Sequence, residues 1–198
     1  MKTIFITLIV LSSTFSAYAK IDGGSDRGGG DAKLIRSKIF QSKRQDLIKK
    51  VTALFEGNSD ANLKSILAWM SKEHVRLPDQ TQDAILKDMQ KRGLGKDIYS
   101  TNFKLEKSCV DKNGIEKTAT TEMNVMNSSI CINVEKFVDD FGPYIQDSDI
   151  IGLLMHEYSH HFGYSDEKHE FAAGVTEFYQ KDNERRNEEG DPLNYLIK

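Results

Sequence analysis

Long apolar segments, cysteine motifs and a strong excess of charge are all missing from this 198-residue sequence. The apolar run Ile4–Leu11 is too short to span a bilayer and no second run follows, which argues against a stable transmembrane helix. The two cysteines lack the C-x-x-C spacing of a thiolate metal site. A net charge of −3 does not favour nucleic acid as a partner.

The first 31 residues are expected to lie outside the folded domain. A basic start, a short apolar run and the small-residue signal Ala17–Ala19 predict a secretory signal peptide, cleaved after Ala19. Residues 20–31 are rich in glycine and poor in apolar side chains, which predicts a flexible leader. We therefore expect a secreted or periplasmic protein whose single domain spans residues 32–198.

The two cysteines, Cys109 and Cys131, lie 22 positions apart (131 − 109). In an oxidising compartment an even pair of cysteines favours one disulfide bond. We therefore predict that these two residues are paired.

The spacing of apolar residues predicts an α+β fold. Helical periodicity covers the first half of the predicted domain, in three helices at residues 32–56, 58–77 and 79–93. Partial alternation and turn signals then predict a small antiparallel β-meander of three strands, at Tyr99–Val110, Ile115–Val125 and Ile130–Val134. The predicted disulfide would join its first and third strands.

A further helix is predicted between Ser148, a good N-cap residue, and Gly163, which can end a helix in a left-handed conformation. One face carries an apolar stripe, made of Ile151, Leu154, Met155, Tyr158 and Phe162. Gly152, His156 and His160 repeat every four residues along a different face. We expect the stripe to pack in the core and the histidine face to stay open.

Two histidines four residues apart on one helix face can bind the same zinc ion. His156 and His160 have this spacing, and Glu157 follows the first of them. Because neighbouring helical residues diverge by about 100°, Glu157 is better placed to reach a water on the metal than the metal itself. His161 diverges from His160 in the same way, so we expect it to border the site or pack nearby.

The segment from His156 to Asp166 completes the pattern H-E-x-x-H-x-x-G-x-x-D. It resembles the extended zinc signature of the metzincin metallopeptidases, in the variant whose third ligand is aspartate. The resemblance implies a zincin-type active-site helix, with zinc held by His156, His160 and Asp166 and with Glu157 as general base and then acid. Metzincins also have a methionine turn after the third ligand, whereas no methionine follows Met155 here.

The third ligand has alternatives on a predicted C-terminal helix, whose N-cap is expected at Ser165. The stretch EKHEFAAG resembles the glutamate helix of the gluzincins, in which a later helix supplies the third ligand. The candidates there are Glu167, His169, Glu170 and Glu177. The charged stretch 181–190 is expected to be frayed.

The sequence thus predicts an exported zinc metallopeptidase acting on a peptide or protein. The strand Ile130–Val134 is our candidate for pairing with an extended substrate, if it lies at a sheet edge and not at its centre. An oxyanion donor could be any of Tyr158, Tyr164, Tyr179 and Tyr195. The alternative is a zinc-binding protein without catalysis, although structural zinc sites are usually closed by four cysteine or histidine ligands.

Overall fold

A computed structural model describes residues 38–56, 58–166 and 168–189. Within these ranges the chain forms seven α-helices and five short β-strands, which confirms the α+β class. The helices are α1 Lys38–Phe55, α2 Asn58–Met70, α3 Gln80–Arg92, α4 Leu94–Ser100, α5 Val134–Phe141, α6 Asp147–His161 and α7 Glu170–Glu189. The predicted signal peptide, the glycine-rich leader and the residues after 189 lie outside the described ranges.

The strands form two small sheets, not one meander. They are β1 Phe103–Leu105, β2 Cys109–Val110, β3 Glu116–Lys117, β4 Ala119–Thr120 and β5 Ile130–Ile132. One sheet has the order β1-β5-β4, in which β1 and β5 run parallel, and the other is the antiparallel pair β2-β3. Alternation of side chains identifies a strand but not its partner, so the sequence could not predict the parallel pairing.

The disulfide joins these two sheets. Cys109 lies in β2 and Cys131 in β5, and their sulfur atoms are bonded at 2.08 Å. The predicted pairing is therefore confirmed, although the bond links separate sheets and not two strands of one meander.

Helix α6 is buried along most of its length. Its predicted apolar stripe is in the core, with every member at most 3% exposed. The face of Gly152 is not open as expected, because α7 packs against it. A Cβ placed on Gly152 would overlap Thr176 Oγ1 and lie 3.3 Å from the carbonyl oxygen of Ala172. Glycine at this position therefore allows α6 and α7 to approach closely.

The two ends of α6 are fixed by local contacts. The helix begins after Gln146 and not after Ser148, because the Asp149 carboxylate accepts a hydrogen bond of 2.8 Å from the Gln146 N–H. At the other end Gly163 is left-handed, with φ of 83°, as predicted. The chain therefore turns directly after the histidines.

Helix α7 begins at Glu170, later than an N-cap at Ser165 would place it. It continues through the charged stretch that we expected to be frayed, as far as Glu189. Ion pairs one turn apart support this part, including Lys181 with Glu177 at 2.6 Å. No helix in the described ranges combines the length and the apolar character that a membrane crossing requires.

Candidate metal centre

His156 and His160 lie one turn apart on α6, and their rings face each other. The ring centroids are 4.5 Å apart with an interplanar angle of 78°, and the two Nε2 atoms are separated by 3.1 Å. The predicted spacing therefore brings both imidazoles to one point.

Hydrogen bonds at the opposite ring nitrogens fix the tautomer of each histidine. His160 Nδ1 lies 2.9 Å from the carbonyl oxygen of Tyr164, and His156 Nδ1 lies 3.1 Å from Asp166 Oδ2. Because a carbonyl and an ionised carboxylate only accept hydrogen bonds, the network assigns the proton of both rings to Nδ1. Both Nε2 atoms then present lone pairs to each other.

Two lone pairs at this separation repel each other unless a cation lies between them. Two imidazole nitrogens bound tetrahedrally to one zinc ion, at about 2.0–2.1 Å each, are roughly 3.3 Å apart. A histidine that binds a metal also commonly donates its other N–H to a carboxylate or a backbone carbonyl, as both rings do here. The donor set therefore fits a metal ion.

Asp166 is 8% exposed and accepts hydrogen bonds from three N–H groups. Its Oδ1 accepts from the Phe171 N–H at 3.1 Å, and its Oδ2 accepts from the Ala172 N–H at 3.0 Å and from His156. Burial alone would raise the pKa of this carboxyl, but the hydrogen bonds from His156 and the two amides bring it below its usual value. Asp166 is therefore an ionised cap for α7 as well as a partner of His156.

His169 lies directly before α7, with its ring centroid 4.6 Å from that of His156. His156, Asp166 and His169 each offer one possible ligand atom, and these three atoms lie within 4.8 Å of one another. This group could hold a metal ion. His169 has a φ of 54°, in the left-handed region that non-glycine residues rarely adopt.

His160 and Asp166 approach His156 at different ring nitrogens. His160 lies at Nε2 and Asp166 at Nδ1. The two nitrogens of an imidazole point in different directions, so one ion bound by His156 lies on one side only. The three predicted ligands therefore lie together around His156. An ion has two possible positions, one at Nε2 of His156 beside His160 and one at Nδ1 beside Asp166.

Of the other three alternative ligands, two are less well placed than His169 and one is not described. Glu170 is exposed, and Glu177 forms an ion pair with Lys181. Glu167 lies outside the described residues.

Glu157, the predicted general base, is buried beside the histidines. It is 3% exposed, and its Oε2 has no hydrogen-bond partner among the described residues. Burial raises the pKa of this carboxyl to about 7. A carboxyl in this state can take up and release a proton near neutral pH.

His161 packs nearby and is engaged by other side chains. It is 1% exposed, its Nδ1 lies 2.6 Å from Asp97 Oδ2, and its Nε2 faces the hydroxyls of Thr121 at 2.8 Å and Ser128 at 2.9 Å. These three partners of His161 were not predicted from the sequence. No local signal could have found them, since Asp97 precedes His161 by 64 residues.

The tyrosines considered as oxyanion donors are mostly engaged elsewhere. The hydroxyl of Tyr158 is buried 3.5 Å from a backbone carbonyl of α4, and that of Tyr164 donates to Asp88 at 2.8 Å. Tyr179 is 2% exposed. Tyr195 lies outside the described residues.

A cleft of about 390 Å³ opens beside the candidate centre. Its lining residues include Asp166, Ser159 and Tyr164, together with Gln82 and Ile85 of α3. Space for a bound molecule therefore adjoins the segment that carries Asp166.

Comparison with protein-family models, with curated proteins and with solved structures finds no match to this chain.

Proposed function

We propose that this protein is an exported zinc metallopeptidase. The observation that carries the proposal is the facing pair of Nε2 atoms, 3.1 Å apart, on two histidines whose Nδ1 atoms are both hydrogen-bonded to acceptors. Neutral imidazole suits zinc well, and the motif resembles that of the metzincins. The disulfide between Cys109 and Cys131 is in keeping with an oxidising compartment.

His156 and His160 are the two zinc ligands from α6, and a third comes from the segment of Asp166 and His169. A zinc ion in this place would lower the pKa of a coordinated water to about 7 and polarise a substrate carbonyl. The tautomers fixed by Asp166 and by the Tyr164 carbonyl keep both Nε2 atoms available for it.

Glu157 is the proton carrier of the reaction. Its buried carboxyl, whose pKa burial raises to about 7 in the metal-free protein, would take a proton from the attacking water and pass it to the leaving amine as the C–N bond breaks. An exposed glutamate would stay ionised at neutral pH and would be a weaker acid in the second step.

An extended peptide substrate needs a free sheet edge for backbone pairing. The strand that we considered for this role, β5, is central, because β1 and β4 pair with it on either side. β4 is the edge strand on that side of the sheet and contacts α6. We assign peptide pairing to β4 in place of β5.

The Glu157→Gln variant tests the proposal. A glutamine side chain cannot accept the proton, so we expect hydrolysis of an unstructured protein substrate to fall by about 10²–10⁴-fold while zinc content stays near one per chain. Zinc is measured by atomic absorption on the protein purified without added metal. Glu184→Gln, an exposed change further along α7, is the matched control and should keep both properties.

Other results would point elsewhere. If both the wild type and Glu157→Gln contain zinc and neither hydrolyses the substrate, the result would favour the alternative, a zinc-binding protein without catalysis. A wild-type protein without zinc would contradict the proposal, as would full activity in Glu157→Gln.

A further inference from the structure

We infer that the loop of residues 121–129 forms a substrate subsite of the proposed peptidase, in which Met123 and Val125 contact a large apolar side chain of the peptide. This role rests on the proposed function and deepens it, because it names the class of peptide that the centre would cleave.

The loop lies against the end of α6 that carries the histidines. It begins directly after β4, the strand to which we assign peptide pairing, and ends directly before β5. The Asn124 N–H donates to the backbone carbonyl of His160 at 2.8 Å. A peptide that pairs with β4 and continues past the end of that strand would therefore meet this loop beside His160.

Buried polar side chains hold the loop in place. One ring nitrogen of His161 faces the hydroxyls of Thr121 and Ser128, at 2.8 and 2.9 Å. The other ring nitrogen contacts Asp97, which also accepts a hydrogen bond from the Asn127 N–H. Because His161 and Asp97 are both buried, these contacts are shielded from water and fix the loop more firmly than exposed contacts would.

The backbone of the loop turns through two left-handed residues, Asn124 with φ of 63° and Asn127 with φ of 61°. Asparagine tolerates this conformation better than most residues. The side-chain amide of Asn124 lies over Gly163, where an added Cβ would overlap it. The loop therefore packs directly on the turn that follows the histidines.

Met123 and Val125 flank Asn124 and are 46% and 42% exposed. Met126, the next apolar residue, packs against the core instead. Loops held by a rigid scaffold commonly carry binding residues, and binding pockets are lined mostly by apolar side chains. An apolar side chain of the peptide would remove Met123 and Val125 from water, whereas an acidic one would also meet the charge of Glu122.

Digestion of β-casein, an unstructured protein, tests the subsite with the mature chain, residues 20–198. Mass spectrometry identifies the cleaved bonds, and we expect Leu, Ile, Met or Phe at one fixed position beside them. In Met123→Ser/Val125→Ser the kcat/KM at these bonds should fall at least about 10-fold, because an apolar pocket that loses one methylene contact loses about this much. The melting temperature should stay unchanged, since both residues are exposed.

Tyr144→Ser is the matched control. Tyr144 is also an exposed apolar residue, but it precedes the opposite end of α6. This variant should keep both the rate of cleavage and the preference for apolar residues.

Peptide binding gives a second readout, measured in the Glu157→Gln background so that no turnover interferes. A fluorescent peptide that covers a preferred bond should bind about 10-fold more tightly than the same peptide with serine at the apolar position. With Met123→Ser/Val125→Ser added, the two peptides should bind equally.

Cleavage without a preference for apolar residues, or a preference unchanged in the double variant, would overturn the subsite and leave the proposed function standing. A change from dimer to monomer in the double variant, seen by gel filtration, would assign Met123 and Val125 to contact with a second copy of the chain and would also overturn the subsite. A wild-type protein that cleaves no bond of β-casein would instead contradict the proposed function, and the subsite with it.

Discussion

At the scale of single residues, Gly152 sets the distance between α6 and α7. We predict that Gly152→Ala lowers the free energy of unfolding by about 1–3 kcal/mol, because the new methyl group would overlap Thr176 Oγ1. Urea unfolding measures the change. In the Thr176→Ala background the same substitution should cost less, because the overlap with Oγ1 is removed and the remaining neighbours, the Ala172 carbonyl oxygen and the Cβ of residue 176, lie 3.3 and 3.5 Å from the added Cβ. Equal costs in both backgrounds would contradict this explanation.

Asp83 is a second single residue with a testable effect, this time on acid stability. Its Oδ1 accepts from the Leu77 N–H at 3.0 Å, and its Oδ2 pairs with Lys87 at 2.5 Å. Burial opposes ionisation, but these contacts bring the pKa of Asp83 below its ordinary value of 3.8. A lowered folded-state pKa means that the carboxylate stabilises the fold above the unfolded value, and that this contribution is lost as pH falls through the folded value.

We therefore predict that Asp83→Asn lowers the free energy of unfolding by about 1–3 kcal/mol at pH 7. The difference from wild type should shrink below pH 3.8 and vanish once Asp83 is protonated in the folded protein. Urea unfolding followed from pH 7 to pH 2.5 measures both proteins. A difference independent of pH would show that the charge of Asp83 does not stabilise the fold.

At the scale of elements, the disulfide between β2 and β5 joins two sheets that share no backbone pairing. Its 22-residue separation predicts a contribution of about 3 kcal/mol in the chain-entropy model. The double variant Cys109→Ala/Cys131→Ala should lose about this much in urea unfolding. Dithiothreitol should lower the wild-type stability similarly and leave the double variant unchanged. An effect of reductant on the double variant would mean that the disulfide is not its target.

The sequence predicts features that depend on neighbouring residues better than features that depend on residues far apart in the chain. Most of the described helices were predicted because periodicity and caps are local signals, as with Asp79, which accepts from the N–H groups of Thr81 and Gln82 at the start of α3. The short helix α4 was not predicted, and its last two residues were wrongly assigned to the strand Tyr99–Val110. Strand pairing and buried polar contacts depend on residues far apart in the chain. The parallel β1-β5 pair and the contact between Asp97 and His161 were therefore missed. For the site, spacing alone predicted the facing of His156 and His160, but not the separate sides on which His160 and Asp166 approach His156.

At the scale of the whole molecule, a bound metal would stabilise the fold by joining α6 to the segment before α7. With free zinc at 100 times its dissociation constant, linkage adds about 2.7 kcal/mol. We therefore predict that a chelator lowers the melting temperature by about 5–10 °C for a chain of this size. His160→Ala should melt at the same temperature with and without chelator, and a shift there would mean that the metal acts at another site.

The carboxylate of Asp166 contacts both the start of α7 and the ring of His156. The position of that turn and the orientation of the ring are therefore coupled. Asp166 accepts from two amides of α7 and from His156 at the same time. Any molecule that loosens the start of α7 would lower metal affinity without touching the metal, and metal binding would resist that loosening by the same free energy. If the centre binds a metal as proposed, a change at the amino-terminal turn of α7 would alter its metal affinity at a distance.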